Sequence, residues 1–141
     1  MKPLSKDVLV VDDDEGIRNL VAVALSRAGL TLDTAADGVH AVEHLTERTY
    51  TVLLIDQNMP RLDGAGVLKT MRAFYGDDSE RPIVLVMTAA SDPEPLQAVA
   101  DMVHAVISKP FDLYRLRELV QDCLVARQGF AQHALRPAVG A

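Results

Sequence analysis

The feature that most constrains this chain is a series of short apolar runs separated by segments of helical period. The runs are residues 8–11, 30–35, 51–55, 83–87 and 105–107. Most are continuously apolar, which fits strands buried on both faces of a parallel sheet. The second run, Leu30 to Ala35, alternates instead and reads as an edge strand. Between the runs, Ile17, Leu20, Val21, Ala24, Leu25 and Ala28 form an apolar stripe that Gly29 closes. Ala41, Val42 and Leu45 mark a second helix, and Val67, Leu68, Met71 and Phe74 a third. A fourth is entered through Ser91, Asp92 and Pro93, with Leu96, Val99, Ala100 and Val103 as its apolar face. Leu113, Leu116, Val120, Cys123 and Leu124 mark the last. The pattern is β-α repeated five times, and right-handed crossovers turn it into a doubly wound α/β sheet with helices on both faces.

Parallel strands put all their C-terminal ends along one edge, and ligands of such sheets sit just outside that edge. Polar residues follow the apolar runs there. Val8–Val11 leads into Asp12, Asp13, Asp14 and Glu15; the run ending at Ile55 meets Asp56; the run ending at Met87 meets Thr88; and Ile107 is followed by Ser108, Lys109 and Pro110. Two carboxylates 4 Å apart repel by about 4 kcal/mol at an effective dielectric near 20. A cluster of acids therefore requires positive charge. Lys109 offers one unit, and Mg²⁺, a hard cation that favours carboxylate oxygens and retained waters, offers two. With the ion in place the crevice accepts a phosphoryl group, and a carboxylate beside it can attack phosphorus to give an aspartyl phosphate. Asp56, alone at the end of a central run, is the candidate nucleophile; Asp12 and Asp13 would hold the metal, and Thr88 and Lys109 the phosphoryl oxygens.

Taken singly, each residue has a plainer reading. Asp13, Asp14 and Glu15 suit the start of a helix; Asp56 could be a turn residue, Thr88 a strand end and Lys109 a solvated charge. Their joint placement on one edge favours the functional reading. His40, Glu43 and His44 match a short H-x-x-E-H zinc pattern, but they fall opposite Ala41, Val42 and Leu45 on the helix, as a solvated face does.

The chain's 141 residues suit one domain. Its net charge of −6 leaves no basic excess for a nucleic-acid backbone. No apolar run is long enough to span a membrane. One cysteine, Cys123, excludes an intrachain disulfide and reads as a small buried apolar residue. Residues 1–127 are expected to form the domain and 128–141 a mobile C-terminal tail.

The segments Val8 to Asp14, Val52 to Gly64, Val86 to Ala89 and Ser108 to Phe111 resemble the receiver domain of bacterial two-component response regulators, over roughly residues 6–127. The resemblance implies a flavodoxin-like (βα)5 fold with strand order 2-1-3-4-5. It implies that Asp56 is the phosphoacceptor, that Asp13 binds Mg²⁺ directly and Asp12 through water, and that the Asn58 backbone carbonyl is a further ligand. Thr88 and Lys109 would sense the phosphoryl group, and the Lys109–Pro110 bond would be cis. The donor would be a phosphohistidine on a sensor histidine kinase or a histidine phosphotransfer protein in the cytoplasm. The output would be a change in binding to a downstream protein, with homodimerisation compatible with it. The chain would be a phosphoacceptor and not an enzyme in its own right.

Two positions depart from the family pattern. Val106 stands where an aromatic switch residue is usual, and Met102 and Val103 stand where Gly-Ala is frequent after the fourth helix. These changes leave the chemistry intact and bear on how the signal leaves the site. A stand-alone receiver is the main reading. The alternatives are a receiver within a larger hybrid kinase or regulator, and a degenerate receiver that serves only as an interaction module. From other classes, a flavodoxin-like cofactor binder is disfavoured because Asp12 to Glu15 would repel an uncoordinated phosphate, and an aspartyl phosphatase because Asn58 stands where its second acid belongs.

Overall fold

A computed structural model describes residues 5–76, 80–89 and 93–135, with the side chains of the last helix described through Arg127. Strand β1 (Ser5–Val11) is followed by α1 (Glu15–Arg27), β2 (Leu32–Ala35), α2 (Gly38–Glu47), β3 (Thr49–Asp56) and α3 (Gly64–Tyr75). Next come β4 (Ile83–Thr88), the short α4 (Glu94–Gln97), a 3₁₀ turn (Ala100–Met102), β5 (Val103–Ser108) and α5 (Leu113–Leu135). The five strands are parallel in the order β2-β1-β3-β4-β5. Among the described residues, no helix is long and apolar enough to cross a membrane.

The core has two halves because successive strand residues face opposite sides of the sheet. Leu9, Val11, Leu53, Ile55, Val84 and Val86 point toward α2 and α3. Val8, Val10, Val52, Leu54, Leu85 and Met87 point toward α1 and α5. The uninterrupted apolar runs of β1, β3 and β4 are thus buried on both faces. Cys123 is buried in the second half.

Four departures from the sequence reading have local causes. In α1, Val21 and Leu25 are buried while Leu20 is exposed, since one helix against a sheet buries a narrower stripe than the pattern offered. In α3 the core residue of the last turn is Tyr75, four residues on from the buried Met71, and Phe74 faces out. The fourth helix lasts one turn. Leu96, Val99 and Met102 recur every third residue, and the chain follows that spacing into the 3₁₀ turn with Val99 donating to Leu96 O and Met102 to Val99 O. Val103 accordingly opens β5 instead of closing a helix. The Ser91-Asp92 cap lies outside the described residues.

The continuously apolar run at 105–107 predicts burial on both faces, yet β5 alternates: Val103, Ala105 and Ile107 are half-buried, while His104, Val106 and Ser108 are exposed. As the second edge strand it has a neighbour on one side only, and an irregularity against Val84 and Leu85 adds a residue to it. Finally, α5 runs on to Leu135, eight residues into the segment expected to be a tail; residues 136–141 lie outside the described residues.

Candidate functional site

Three capping aspartates prepare the edge of the sheet. Asp14, Asp37 and Asp63 each accept a backbone N–H three residues on and start α1, α2 and α3. The helix-start reading therefore belongs to Asp14, which leaves Asp12 and Asp13 for the crevice. Asp12 is fully buried and Asp13 exposed, and with Asp56 they bring carboxylate oxygens within 4.8 Å of one another. Among the described residues this is the one group of three metal-ligating side chains that converges. His40 instead pairs with Asp37, at 3.0 Å, and His44 Nδ1 lies 3.4 Å from the Tyr50 hydroxyl, so the zinc-like spacing assembles no site.

Lys109 reaches across from the end of β5. Its Nζ lies 2.8 Å from Asp12 Oδ2 and 3.2 Å from Asp56 Oδ2. The Lys109–Pro110 peptide is cis, and the Lys109 amide donates to Thr88 O at 2.9 Å, which fixes the lysine beside the end of β4. Asp12 Oδ1 accepts from the Asp14 amide, and its carbonyl accepts from Arg18. Asp56 Oδ1 accepts from the Asn58 amide at 3.1 Å. Thr88 Oγ1 donates to Asn58 Oδ1 at 2.9 Å.

The electrostatics of the cluster are unbalanced. Two buried carboxylates, Asp12 and Asp56, share the one ammonium of Lys109, and the exposed Asp13 sets a third acid beside them, so the acids outnumber the lysine. Burial pushes the Asp56 carboxyl up from its ordinary value; the Asn58 amide opposes this, the Asp12 charge adds to it, and Lys109 only partly offsets it. Burial works against the charged form of Lys109, but Asp12 and Asp56 together outweigh it and raise its pKa. The residues thus fit a divalent, oxygen-seeking cation: the donors are carboxylates, and Lys109 pairs with only two of the three.

The loop from β3 to α3 is held closed by Gln57, which sequence reading did not single out. Its side chain accepts from the Ala65 amide at 2.8 Å and donates to Asp63 Oδ2 at 3.1 Å, while its carbonyl accepts from Gly64. Gly64 has to be glycine for this closure, because a Cβ there would lie 2.9 Å from both Asp56 O and Gln57 Oε1. Arg18 was also missed. No spacing rule points to either residue; the polar side chain of Gln57 directly after Asp56 is the one sequence signal, and its burial shows only in the fold.

The model of the response regulator receiver domain matches residues 8–121. The chain belongs to that family. Sporulation initiation phosphotransferase F of Bacillus subtilis is 30% identical over 86% of this chain and 95% of its own length. Regulator of RpoS of Escherichia coli is 34% identical over 86% of this chain, which spans 35% of that longer protein. The solved structure of the Thermotoga maritima response regulator TrrA in complex with Mg²⁺ and BeF has a TM-score of 0.71 at 27% identity, covering 84% of this chain and 98% of that one. The receiver acts in two-component signalling by accepting a phosphoryl group, and the acidic pocket of such domains is where they bind Mg²⁺.

Proposed function

We propose that this receiver takes a phosphoryl group onto Asp56 from a phosphohistidine of a sensor kinase or phosphotransfer protein and thereby changes its binding to a downstream protein. The observation that carries the reading is the convergence of the Asp12, Asp13 and Asp56 carboxylates, two of them, Asp12 and Asp56, paired with Lys109, and the Thr88 hydroxyl hydrogen-bonded to Asn58 two residues after Asp56. An Asp56 oxygen forms a bond to phosphorus as the donor's nitrogen–phosphorus bond breaks, and the electron pair of that bond returns to the imidazole nitrogen. Lys109 and Thr88 then contact phosphoryl oxygens, where preorganised donors act in a water-poor site. Asp13, Asp56 and the Asn58 carbonyl would hold Mg²⁺, with Asp12 acting through water, and the ion would neutralise charge on the transferring group.

In this reading the chain works in the cytoplasm as an acceptor and not as an enzyme with a separate substrate. The receiver unit ends near Arg127, whose guanidinium donates to Arg81 O at 2.9 Å, so a chain ending there should melt where the full chain does; a large fall in melting temperature would move the boundary outward. A second reading, the same chemistry inside a longer regulator, is favoured by the match to Regulator of RpoS.

Acetyl phosphate and Mg²⁺ should add one phosphoryl group to the protein, seen by intact mass. Asp56→Asn should abolish the addition, and chelation of Mg²⁺ should suppress it. Equal labelling of the variant would remove Asp56 from its proposed role.

A further inference from the structure

Asn58 makes two contacts that join the proposed nucleophile to the proposed sensor. Its backbone amide donates to Asp56 Oδ1 at 3.1 Å, and its side-chain oxygen accepts the Thr88 hydroxyl at 2.9 Å. The first contact engages the acid that would carry the phosphoryl group. The second engages the hydroxyl that would have to report it. A threonine hydroxyl has one proton to donate. Given to Asn58 Oδ1, that proton is not available to a phosphoryl oxygen on Asp56.

We propose that Asn58 is a positioning residue: its side-chain oxygen holds the Thr88 hydroxyl in the unphosphorylated state and competes with the phosphoryl group for the single proton of that hydroxyl. The inference rests on the reading of Asp56 as phosphoacceptor and Thr88 as phosphoryl sensor, and adds to it the group that opposes the switch.

The surroundings support such a role. Thr88 is nearly buried at the end of β4, so its hydroxyl has few directions open to it, whereas Asn58 is exposed and its amide can turn to water once released. Release therefore leaves no buried orphan on the asparagine side, which keeps the exchange close to balanced. The exchange also has somewhere to go. Asn58 sits in the β3–α3 loop that Gln57 ties to Asp63 and Ala65, so losing the Thr88 contact frees one of the links between that loop and β4. On the other side of Thr88, a groove of about 600 Å³ between α4 and β5 is lined by Leu96, Ala105 and Val106. Val106 is 53% exposed and brings no ring to follow the hydroxyl. The loop bearing Asn58 is therefore a route by which movement of the hydroxyl reaches the surface.

The test is Mg²⁺-dependent binding of beryllofluoride, a phosphoryl mimic, to the full chain, measured as an apparent Kd for wild type, Asn58→Ala, Asn58→Asp, Thr88→Val and the pair Asn58→Ala with Thr88→Val. Removing the competing acceptor should tighten binding in Asn58→Ala by about two- to tenfold, the equivalent of one ordinary hydrogen bond. Asn58→Asp keeps an acceptor oxygen and adds charge, so it should bind no tighter than wild type. In the Thr88→Val background, Asn58→Ala should change nothing, because the contested proton is gone. Equal tightening in both Thr88 backgrounds, tightening in Asn58→Asp, or no tightening in Asn58→Ala would each overturn the proposal. Asp56→Asn separates the two claims. If wild type binds and Asp56→Asn does not, a failure lies with Asn58 alone; if wild type shows no binding dependent on Asp56, the site reading and this inference fall together.

Discussion

Two clusters built around aspartate on the same sheet have opposite electrostatic outcomes. Asp33, on β2, receives Lys6 Nζ at 2.7 Å and the Tyr50 hydroxyl at 2.6 Å, with Arg48 at 3.8 Å. Burial alone would raise its pKa, but those partners together bring it below the ordinary 3.8. Asp56, on β3, shares its one lysine with Asp12, has Asp13 as a further acid nearby, and goes the other way. The Asp33 cluster is complete: one acid, hydrogen bonds from Lys6 and Tyr50, a second cation in Arg48, and a tyrosine pKa pushed far up by burial and by the carboxylate beside it. The Asp56 cluster is short of positive charge. The first ties three strands of the fold together, and the second keeps a standing demand for a cation, which is what separates a structural cluster from a binding one.

The largest effect should come from removing the shared ammonium. Lys109 is 14% exposed and its partners less so. Without Mg²⁺, Lys109→Ala should destabilise the fold by about 3–5 kcal/mol at neutral pH, because it strands buried carboxylates. Saturating Mg²⁺ should recover much of that loss, since an ion at a hundredfold excess over its Kd stabilises by about 2.7 kcal/mol. Denaturant melts with and without the ion decide the matter. If Mg²⁺ leaves the variant's stability unchanged, the charge deficit is not a metal site.

Tyr50→Phe should act next most strongly and in the other cluster. It takes a charge-assisted hydrogen bond from Asp33 and should cost about 1.5–3 kcal/mol, with no recovery on adding Mg²⁺. The sign of its pH dependence follows from Asp33. A folded-state pKa held below the unfolded value contributes stability that is fully present above pH 3.8 and is lost as pH falls through the folded value. Wild type should therefore lose more stability across the acid range than Tyr50→Phe, in which Asp33 has moved back toward its unfolded value. Parallel acid limbs for the two proteins would mean that Tyr50 contributes packing and not charge stabilisation.

The two clusters were also unequally legible in the sequence. Asp12, Asp13, Asp56, Thr88 and Lys109 follow apolar runs, and parallel pairing alone carries them to one edge, so their meeting follows from the topology. Asp33 showed only as a polar position in an alternating strand. Its partners lie 27 and 17 residues away, and nothing in the spacing joins Lys6 or Tyr50 to it. The Thr88–Asn58 contact is hidden in the same way, because it depends on the path of the β3–α3 loop and not on strand order. The alternation of β5 was hidden for a positional reason, since an edge place in the sheet is set by neighbours the sequence does not print, whereas the three-residue spacing of Leu96, Val99 and Met102 behind the short α4 was there to be read.

The smallest effect should also be the one opposite in sign. Asp56 has a folded-state pKa raised above its unfolded value, so the folded state binds the proton more tightly and stability falls as pH rises from 3.8 through the folded value. Above the folded value, without metal, that penalty is fully present. Asp56→Asn removes it while leaving an oxygen for the Asn58 amide and taking away only one of the two carboxylates that hold Lys109. The variant should therefore melt above wild type in chelator at neutral pH, and the difference should shrink as the buffer is made acidic. Mg²⁺ should reverse the order, since wild type regains an ion that the amide binds less well. An Asp33→Asn variant, tested in parallel, should be destabilised at neutral pH with or without the ion. If Asp56→Asn also lowers the melting temperature in chelator, Asp56 is as well satisfied as Asp33, and the contrast between the two clusters fails at its centre.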